Sequence, residues 1–180
     1  MEGIIAQRYA VSLFEVAQEF KITDEILEDL KSLKAVFLEN EDFFKLLNIP
    51  TLSKEEKVSM LDKVFEGRIN VYMLNFLKIL CEKGRIPHFY EIVSYYTKLY
   101  NKENNIKEAL AITAVPLSEN LKTKLINKLT EITGSRILLE NKVDPKILGG
   151  VVLKMDDNQF DSSVKGRLDR LKSSLNAQNA

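Results

Sequence analysis

Apolar residues recur every three or four positions through the first hundred residues, which is the spacing of amphipathic helices. In the opening segment the apolar stripe consists of Ile5, Tyr9, Leu13, Val16 and Phe20. Residues typical of helix starts and ends divide the remainder into five further helices. These signals are Thr23, Ser53 with Glu56, Gly67, Asn70, Gly84 and Pro87. The pattern predicts six short helices packed as a bundle.

A different pattern follows the polar run 101–105. Short apolar runs predict strands at 109–115, 137–143 and 151–155. A helix that begins at Ser118 and ends at Gly134 lies between the first two strands. A last amphipathic helix is predicted from about Asp161.

The predicted fold class is mainly α, with two parts. An N-terminal six-helix bundle takes residues 1–105, and a small α+β domain takes 106–180. The polar run 101–105 is the predicted boundary, where some flexibility between the halves is expected.

Charge is balanced over the chain but differs between the halves. Formal net charge is zero. Up to residue 105 there are 14 Lys and Arg against 17 Asp and Glu, a net −3, and the remainder carries 12 against 9, a net +3. This basicity is far below that of a dedicated nucleic-acid binder.

The chain has one cysteine, Cys81, so an internal disulfide is not possible. Residues 1–20 lack the apolar core of a secretory signal, and no run approaches the ~20 apolar residues that span a bilayer. We therefore expect a soluble intracellular protein that reaches a membrane only through a partner.

Candidate catalytic and ligand-binding residues are few. His88 is the only histidine, so neither a zinc cluster nor a nucleophile and base pairing has enough members. The pair Gly149 and Gly150 lacks the lysine of a phosphate loop. The basic residues Lys165, Arg167, Arg170 and Lys172 are interrupted by acidic ones. We expect no catalytic residue, cofactor, metal or nucleic acid.

The fifth predicted helix carries more apolar surface than one bundle stripe requires. Apolar residues surround nearly all of it: Val71, Tyr72, Met73, Leu74, Phe76, Leu77, Ile79, Leu80 and Cys81. Either this helix is central to the bundle or one side of it faces a partner.

Several segments resemble those of one family. Residues 8–14 (RYAVSLF) resemble the opening "YA-x-A-L-F" helix of ATP synthase delta subunits and their mitochondrial counterpart, the oligomycin-sensitivity-conferring protein. Residues 75–86 are similar to the fifth helix of that family, with Lys83 replacing the usual Asn. Residues 143–152 and 161–168 resemble its "D-x-x-L-x-G-G" and "DGSVRGRL" pair, with Ser162 where Gly is common.

The resemblance implies a non-catalytic peripheral-stalk subunit of a rotary F-type ATP synthase. The N-terminal bundle would bind the N-terminal helix of an alpha subunit in a groove between the first and fifth helices, and the C-terminal part would bind the C-terminal end of the b-subunit stalk. Such a subunit holds the catalytic head against rotor torque. It would lie on the cytoplasmic face of the bacterial cell membrane as part of the complex.

The resemblance also implies contact residues. The expected alpha-subunit contacts are Tyr9, Ser12, Asn75 and Ile79, although Tyr9 could equally belong to the core. The expected stalk contacts are Gly150, Val164, Leu168 and Leu171, and the three apolar ones could instead cover the small sheet of their own half. A generic helical adaptor, an enzyme built from Asp, Glu, Lys and Tyr, and an RNA-binding module remain as alternatives.

Overall fold

A computed structural model describes residues 2–155 and 158–168. These residues are mainly helical and include a small four-stranded sheet. The chain divides into two compact units, Met1–Tyr100 and Asn101–Ala180.

Between Glu2 and Glu103 the structure describes six α-helices and one 3-10 turn, Ile86–His88, and the last helix extends three residues past the first unit. The helices are α1 (Glu2–Glu19), α2 (Thr23–Glu39), α3 (Glu41–Asn48), α4 (Lys54–Phe65), α5 (Val71–Glu82) and α6 (Phe89–Glu103). Their buried side chains form one core, and Phe37, Leu77 and Tyr96 are among its fully buried members. The Tyr96 hydroxyl donates to the Thr23 carbonyl oxygen at 3.2 Å, which fastens α6 to the start of α2.

Local signals placed several of these helix starts correctly. Ser53 and Glu56 form the predicted capping box, with each side chain accepting from the other residue's backbone N–H. The Asn70 side chain accepts from the Tyr72 N–H at the start of α5. The Thr23 prediction was wrong, because Ile22 occupies the N-cap of α2 and contributes no side-chain hydrogen bond. That end is held instead by packing and by the Tyr96 hydroxyl.

The end of α1 is a tight reversal that carries a lysine in an unusual conformation. Lys21 has φ +57°, its N–H donates to the Gln18 carbonyl at 3.1 Å, and the Ile22 N–H donates to the Ala17 carbonyl at 2.9 Å. This is the Schellman pattern, in which glycine normally takes the left-handed position because a Cβ is strained there.

Lys21→Gly is therefore expected to raise the free energy of unfolding by about 0.5–1 kcal/mol. Chemical denaturation of the two full-length proteins measures the difference. Lys31→Gly, at an exposed interior position of α2, should instead lower stability by about 1 kcal/mol. Equal destabilisation by both substitutions would contradict the assignment.

The second unit is built on a mixed sheet of order β2-β1-β3-β4. Its strands are β1 (Ile106–Thr113), β2 (Arg136–Val143), β3 (Val151–Met155) and β4 (Asn158–Asp161). The central strand β1 pairs parallel with β2 and antiparallel with β3. Helix α7 (Glu119–Thr133) connects β1 to β2, and its Leu129 packs with Ala109, Ala111, Ile137 and Leu153 in a small core.

Two features of this unit differ from the sequence prediction. Strand β4 was missed, since it has only four residues and a single apolar one, Phe160. The helical segment after it begins at Val164, three residues later than predicted.

Candidate functional site

Helices α1 and α5 lie side by side, and the rings of Tyr9, Phe20, Tyr72 and Phe76 line the surface between them, the α1–α5 groove. The Tyr9 and Phe76 rings meet edge to face with centroids 6.3 Å apart. The Phe20 and Tyr72 rings stack at 4.5 Å. These contacts show that the C-terminal end of α1 lies beside the N-terminal end of α5, so the two helices flank the groove in opposite directions.

The flanks of the groove expose apolar side chains to solvent. Phe20 is 48% exposed and Ile79 is 45% exposed. On α5 the groove flank follows from helix geometry, because Tyr72, Phe76 and Ile79 are three or four positions apart and Phe76 contacts α1. On α1 the half-buried Ile5 and Val16 lie along the same flank as Tyr9. An amphipathic helix that binds a protein covers exposed apolar surface of this kind.

Helix geometry puts the four residues expected to bind an alpha subunit near the facing sides of α1 and α5. Tyr9 is half-buried against Phe76, so it belongs partly to the groove floor. Ser12 and Asn75 are exposed on the two flanks, and Ile79 is the exposed apolar member. Their contact with an alpha subunit stays a prediction.

Sequence reasoning missed two groove residues, Phe20 and Tyr72. Phe20 was placed in the apolar stripe of α1 but not among the expected contacts, and nearly half of it is exposed. Its distance of eleven positions from Tyr9, about three helical turns, places both rings on one face and could have indicated it.

Helix α5 uses most of its apolar surface in the core and exposes the rest. Most of its apolar residues are buried in the core of the unit: Met73, Leu74, Phe76, Leu77, Leu80 and Cys81. Val71 and Ile79 are exposed, and Tyr72 is half-buried. The helix is therefore central to its unit and also presents an apolar flank.

Two of the predicted stalk-binding residues, Gly150 and Val164, lie at a close backbone contact in the second unit. The Val164 N–H donates to the Gly149 carbonyl at 3.0 Å, and the Ser162 N–H donates to the Val151 carbonyl at 2.9 Å. A Cβ on Gly150 would lie 2.6 Å from the Ser162 carbonyl oxygen, and Gly150 has φ +83°. The two segments that resemble family motifs, 143–152 and 161–168, are therefore held against each other by these hydrogen bonds.

Glycine is needed at position 150 for packing, because a side chain there would clash with the backbone of Ser162. Val164 and Leu168 are 46% and 58% exposed, so both present apolar surface. Leu171 lies outside the described residues.

Gly166 lies against the side-chain carboxylate of Asp161. A Cβ at this position would lie 2.7 Å from the Asp161 carboxyl carbon. Asp161 Oδ1 accepts from the Ser163 N–H at 2.8 Å, and Ser163 Oγ accepts from the Gly166 N–H at 3.1 Å. Together these bonds cap the helical segment 164–168.

Two residues with reactive side chains have ordinary structural surroundings. Burial raises the pKa of the Cys81 thiol to about 11, so it is protonated and unreactive at neutral pH. His88 Nδ1 lies 3.5 Å from a Glu91 carboxylate oxygen one helical turn away. Over residues 2–155 and 158–168 no three His, Cys, Asp or Glu side chains are grouped to hold a metal ion.

The chain matches known proteins over nearly its whole length. The family model for the ATP synthase delta (OSCP) subunit matches residues 5–175. The chain belongs to this family. An ATP synthase subunit delta of Clostridioides difficile is 36% identical over 176 residues, covering 97% of each chain. A chloroplastic ATP synthase subunit delta of Galdieria sulphuraria is 38% identical over 165 residues, covering 91% of this chain and 93% of that one.

A solved structure shares the fold of this family member. A chain in the mitochondrial ATP synthase hexamer of Toxoplasma gondii aligns with a TM-score of 0.74 at 22% identity, covering 94% of this chain and 96% of that one. The alignment extends across most of both units. The family match likewise includes the groove residues from Ile5 onward and the contact around Gly150.

Proposed function

We propose that this chain is a peripheral-stalk subunit of an F-type ATP synthase, linking the catalytic head to the b-subunit stalk. Rotor torque would otherwise turn the head, so a non-catalytic link that resists rotation lets torque do work at the catalytic sites. The observation that supports this most strongly is the family match over residues 5–175. The exposed apolar groove of the first unit supplies a surface for one of the two attachments.

The first attachment uses the groove between α1 and α5. In this proposal α1 to α6 act as a six-helix bundle, and the groove receives the N-terminal helix of an alpha subunit. Tyr9 and Ile79 supply apolar contact, while Ser12 and Asn75 supply hydrogen-bonding groups at the edges. A lasting attachment needs nanomolar affinity, or roughly −12 kcal/mol, and helix-in-groove burial of well-packed anchors can supply it.

The second attachment uses the C-terminal half, over residues 106–180. Val164 and Leu168 expose apolar surface beside the contact that Gly150 permits, and we propose that the C-terminus of the b subunit covers them, together with Leu171. Two attachments on one chain raise the overall avidity, because release of one leaves the other bound.

Association with a membrane would be indirect, through the rest of the complex. Within the described residues, none of the helices combines the length and the apolar character that crossing a bilayer requires. We place the protein on the cytoplasmic face of a bacterial cell membrane, as a peripheral part of the synthase.

The groove attachment is tested with Ile79→Asp in the full-length chain. A carboxylate at the centre of an apolar contact should weaken binding of a synthetic alpha N-terminal segment by about 100-fold, or roughly 3 kcal/mol. Fluorescence anisotropy with a labelled segment measures this. The same variant, added to membranes depleted of the native subunit, should fail to restore ATP-driven proton pumping.

Leu38→Asp is the matched control, since Leu38 is 57% exposed on α2. It adds the same charge to the same unit and should leave affinity and pumping unchanged. Equal affinity of the wild-type chain and Ile79→Asp would exclude this groove as the attachment site.

A further inference from the structure

The outer edge of the groove carries a row of polar residues along α1. Arg8, Ser12, Glu15 and Glu19 are separated by four, three and four positions, so they lie on one face of the helix. All four are exposed. Since Ser12 is one turn from Tyr9, this row borders the aromatic floor of the groove. Its charge changes from positive at Arg8 to negative at Glu15 and Glu19.

The negative end of this row is unfavourable for α1 itself. Glu15 and Glu19 are like charges four residues apart, an arrangement that destabilises a helix. Glu19 also lies in the last turn of α1, where the helix dipole disfavours an anion. That last turn contains no basic residue. Neither glutamate forms an ion pair with a described residue. The nearest cation along the chain is the exposed Lys21, beyond the helix end.

Helix α2 adds negative charge at the same end of the groove. Glu25 Oε2 accepts from the Asn70 side-chain amide at 2.9 Å, and Asp29 Oδ2 accepts from the Asn70 N–H at 2.7 Å. Asn70 begins α5, which lies beside the end of α1 through the Phe20 and Tyr72 rings. At the opposite end of α5, Glu82 and Lys83 carry opposite charges and Arg85 follows them, so the charge there is positive, as it is at Arg8.

We propose that this charge row fixes the direction in which the groove accepts its helix. The proposal rests on the proposed function, with the alpha N-terminal segment as the occupant. That helix places basic side chains beside Glu15 and Glu19 and an acidic side chain beside Arg8, roughly 16 Å away at ~1.5 Å per residue. The apolar stripe then supplies most of the affinity, and the charges select one of two directions.

Glu19→Lys distinguishes a role of Glu19 in binding from a role in stability. The substitution should stabilise the chain and at the same time weaken binding of the alpha segment. The new lysine would give Glu15 an oppositely charged partner one turn away and would place a cation at the helix end, so the melting temperature should rise by about 1–3 °C. Binding of the synthetic alpha segment to the full-length variant should weaken about 5- to 10-fold at about 20 mM salt. In about 0.5 M salt the difference should nearly vanish.

Two further variants complete the test. Arg8→Glu should also weaken binding at low salt, whereas Glu39→Lys, an exposed charge reversal at the end of α2, should change neither affinity nor its salt dependence. Unchanged or tighter binding by Glu19→Lys, while the wild-type chain binds the segment, overturns the direction proposal and leaves the proposed function standing. If the wild-type chain does not bind the segment at all, both proposals fail.

Discussion

Replacing Phe37 with alanine is expected to lower the free energy of unfolding of the first unit by about 3–5 kcal/mol. Phe37 is fully buried, and four aromatic rings surround it. Its ring centroid lies 5.0 Å from that of Phe89, 5.2 Å from Phe44, 6.1 Å from Phe43 and 6.2 Å from Phe65. Rigid aromatic neighbours cannot collapse into the space left behind, so the cavity term adds to the lost transfer free energy.

Urea denaturation followed by far-ultraviolet circular dichroism measures this loss. Phe20→Ala is the matched control, because Phe20 is 48% exposed and its ring stacks on that of Tyr72. Phe20→Ala should lower the free energy of unfolding by about 1 kcal/mol and remove an aromatic contact in the groove. A loss below about 1.5 kcal/mol for Phe37→Ala would show that the aromatic cluster repacks.

Gly150→Ala is expected to destabilise the second unit by about 3 kcal/mol or more, from two separate causes. The methyl group would lie 2.6 Å from the Ser162 carbonyl oxygen and 2.9 Å from the Ser163 Cα, both backbone atoms. The residue would also keep φ +83°, which is strained for any residue with a Cβ. Relief requires separation of the 149–151 and 162–164 segments and loss of their hydrogen bonds.

Hydrogen exchange of the Ser162 and Val164 amides reports the opening of this contact directly, since both donate across it. Gly67→Ala supplies the control: Gly67 has φ +71° but no atom within 4 Å of its Cβ position, so it bears the conformational cost alone, about 1 kcal/mol. Similar losses for the two variants would rule out the backbone clash as the larger cause.

Much of the fold was predictable because helix ends are encoded locally. Ser53 with Glu56, Asn70 and Ser118 each act within four residues along the chain, and all three cap helices as predicted. Gly134 ends α7 with φ +65°, as its position after the apolar stripe indicated. Strand β4 was not predictable in this way, since its four residues are defined by pairing with β3 rather than by their own pattern.

The candidate site was only partly predictable, because its geometry depends on contacts between distant segments. The pairing of Tyr9 with Phe76, and of Phe20 with Tyr72, joins residues more than fifty positions apart. Similarly, nothing local shows that Gly150 must admit the backbone of Ser162. The resemblance indicated that both segments matter, and the structure supplies the steric reason.

The central place of β1 in its sheet has a mechanical consequence. Helix α6 leads into β1 within three residues, so tension transmitted along the chain reaches the sheet at an interior strand. Hydrogen bonds to β2 on one side and β3 on the other would be loaded together in shear, instead of opening one at a time from an edge. A strand held in this way leaves the sheet only when the hydrogen bonds on both of its sides break, so the sheet resists its removal more than that of an edge strand.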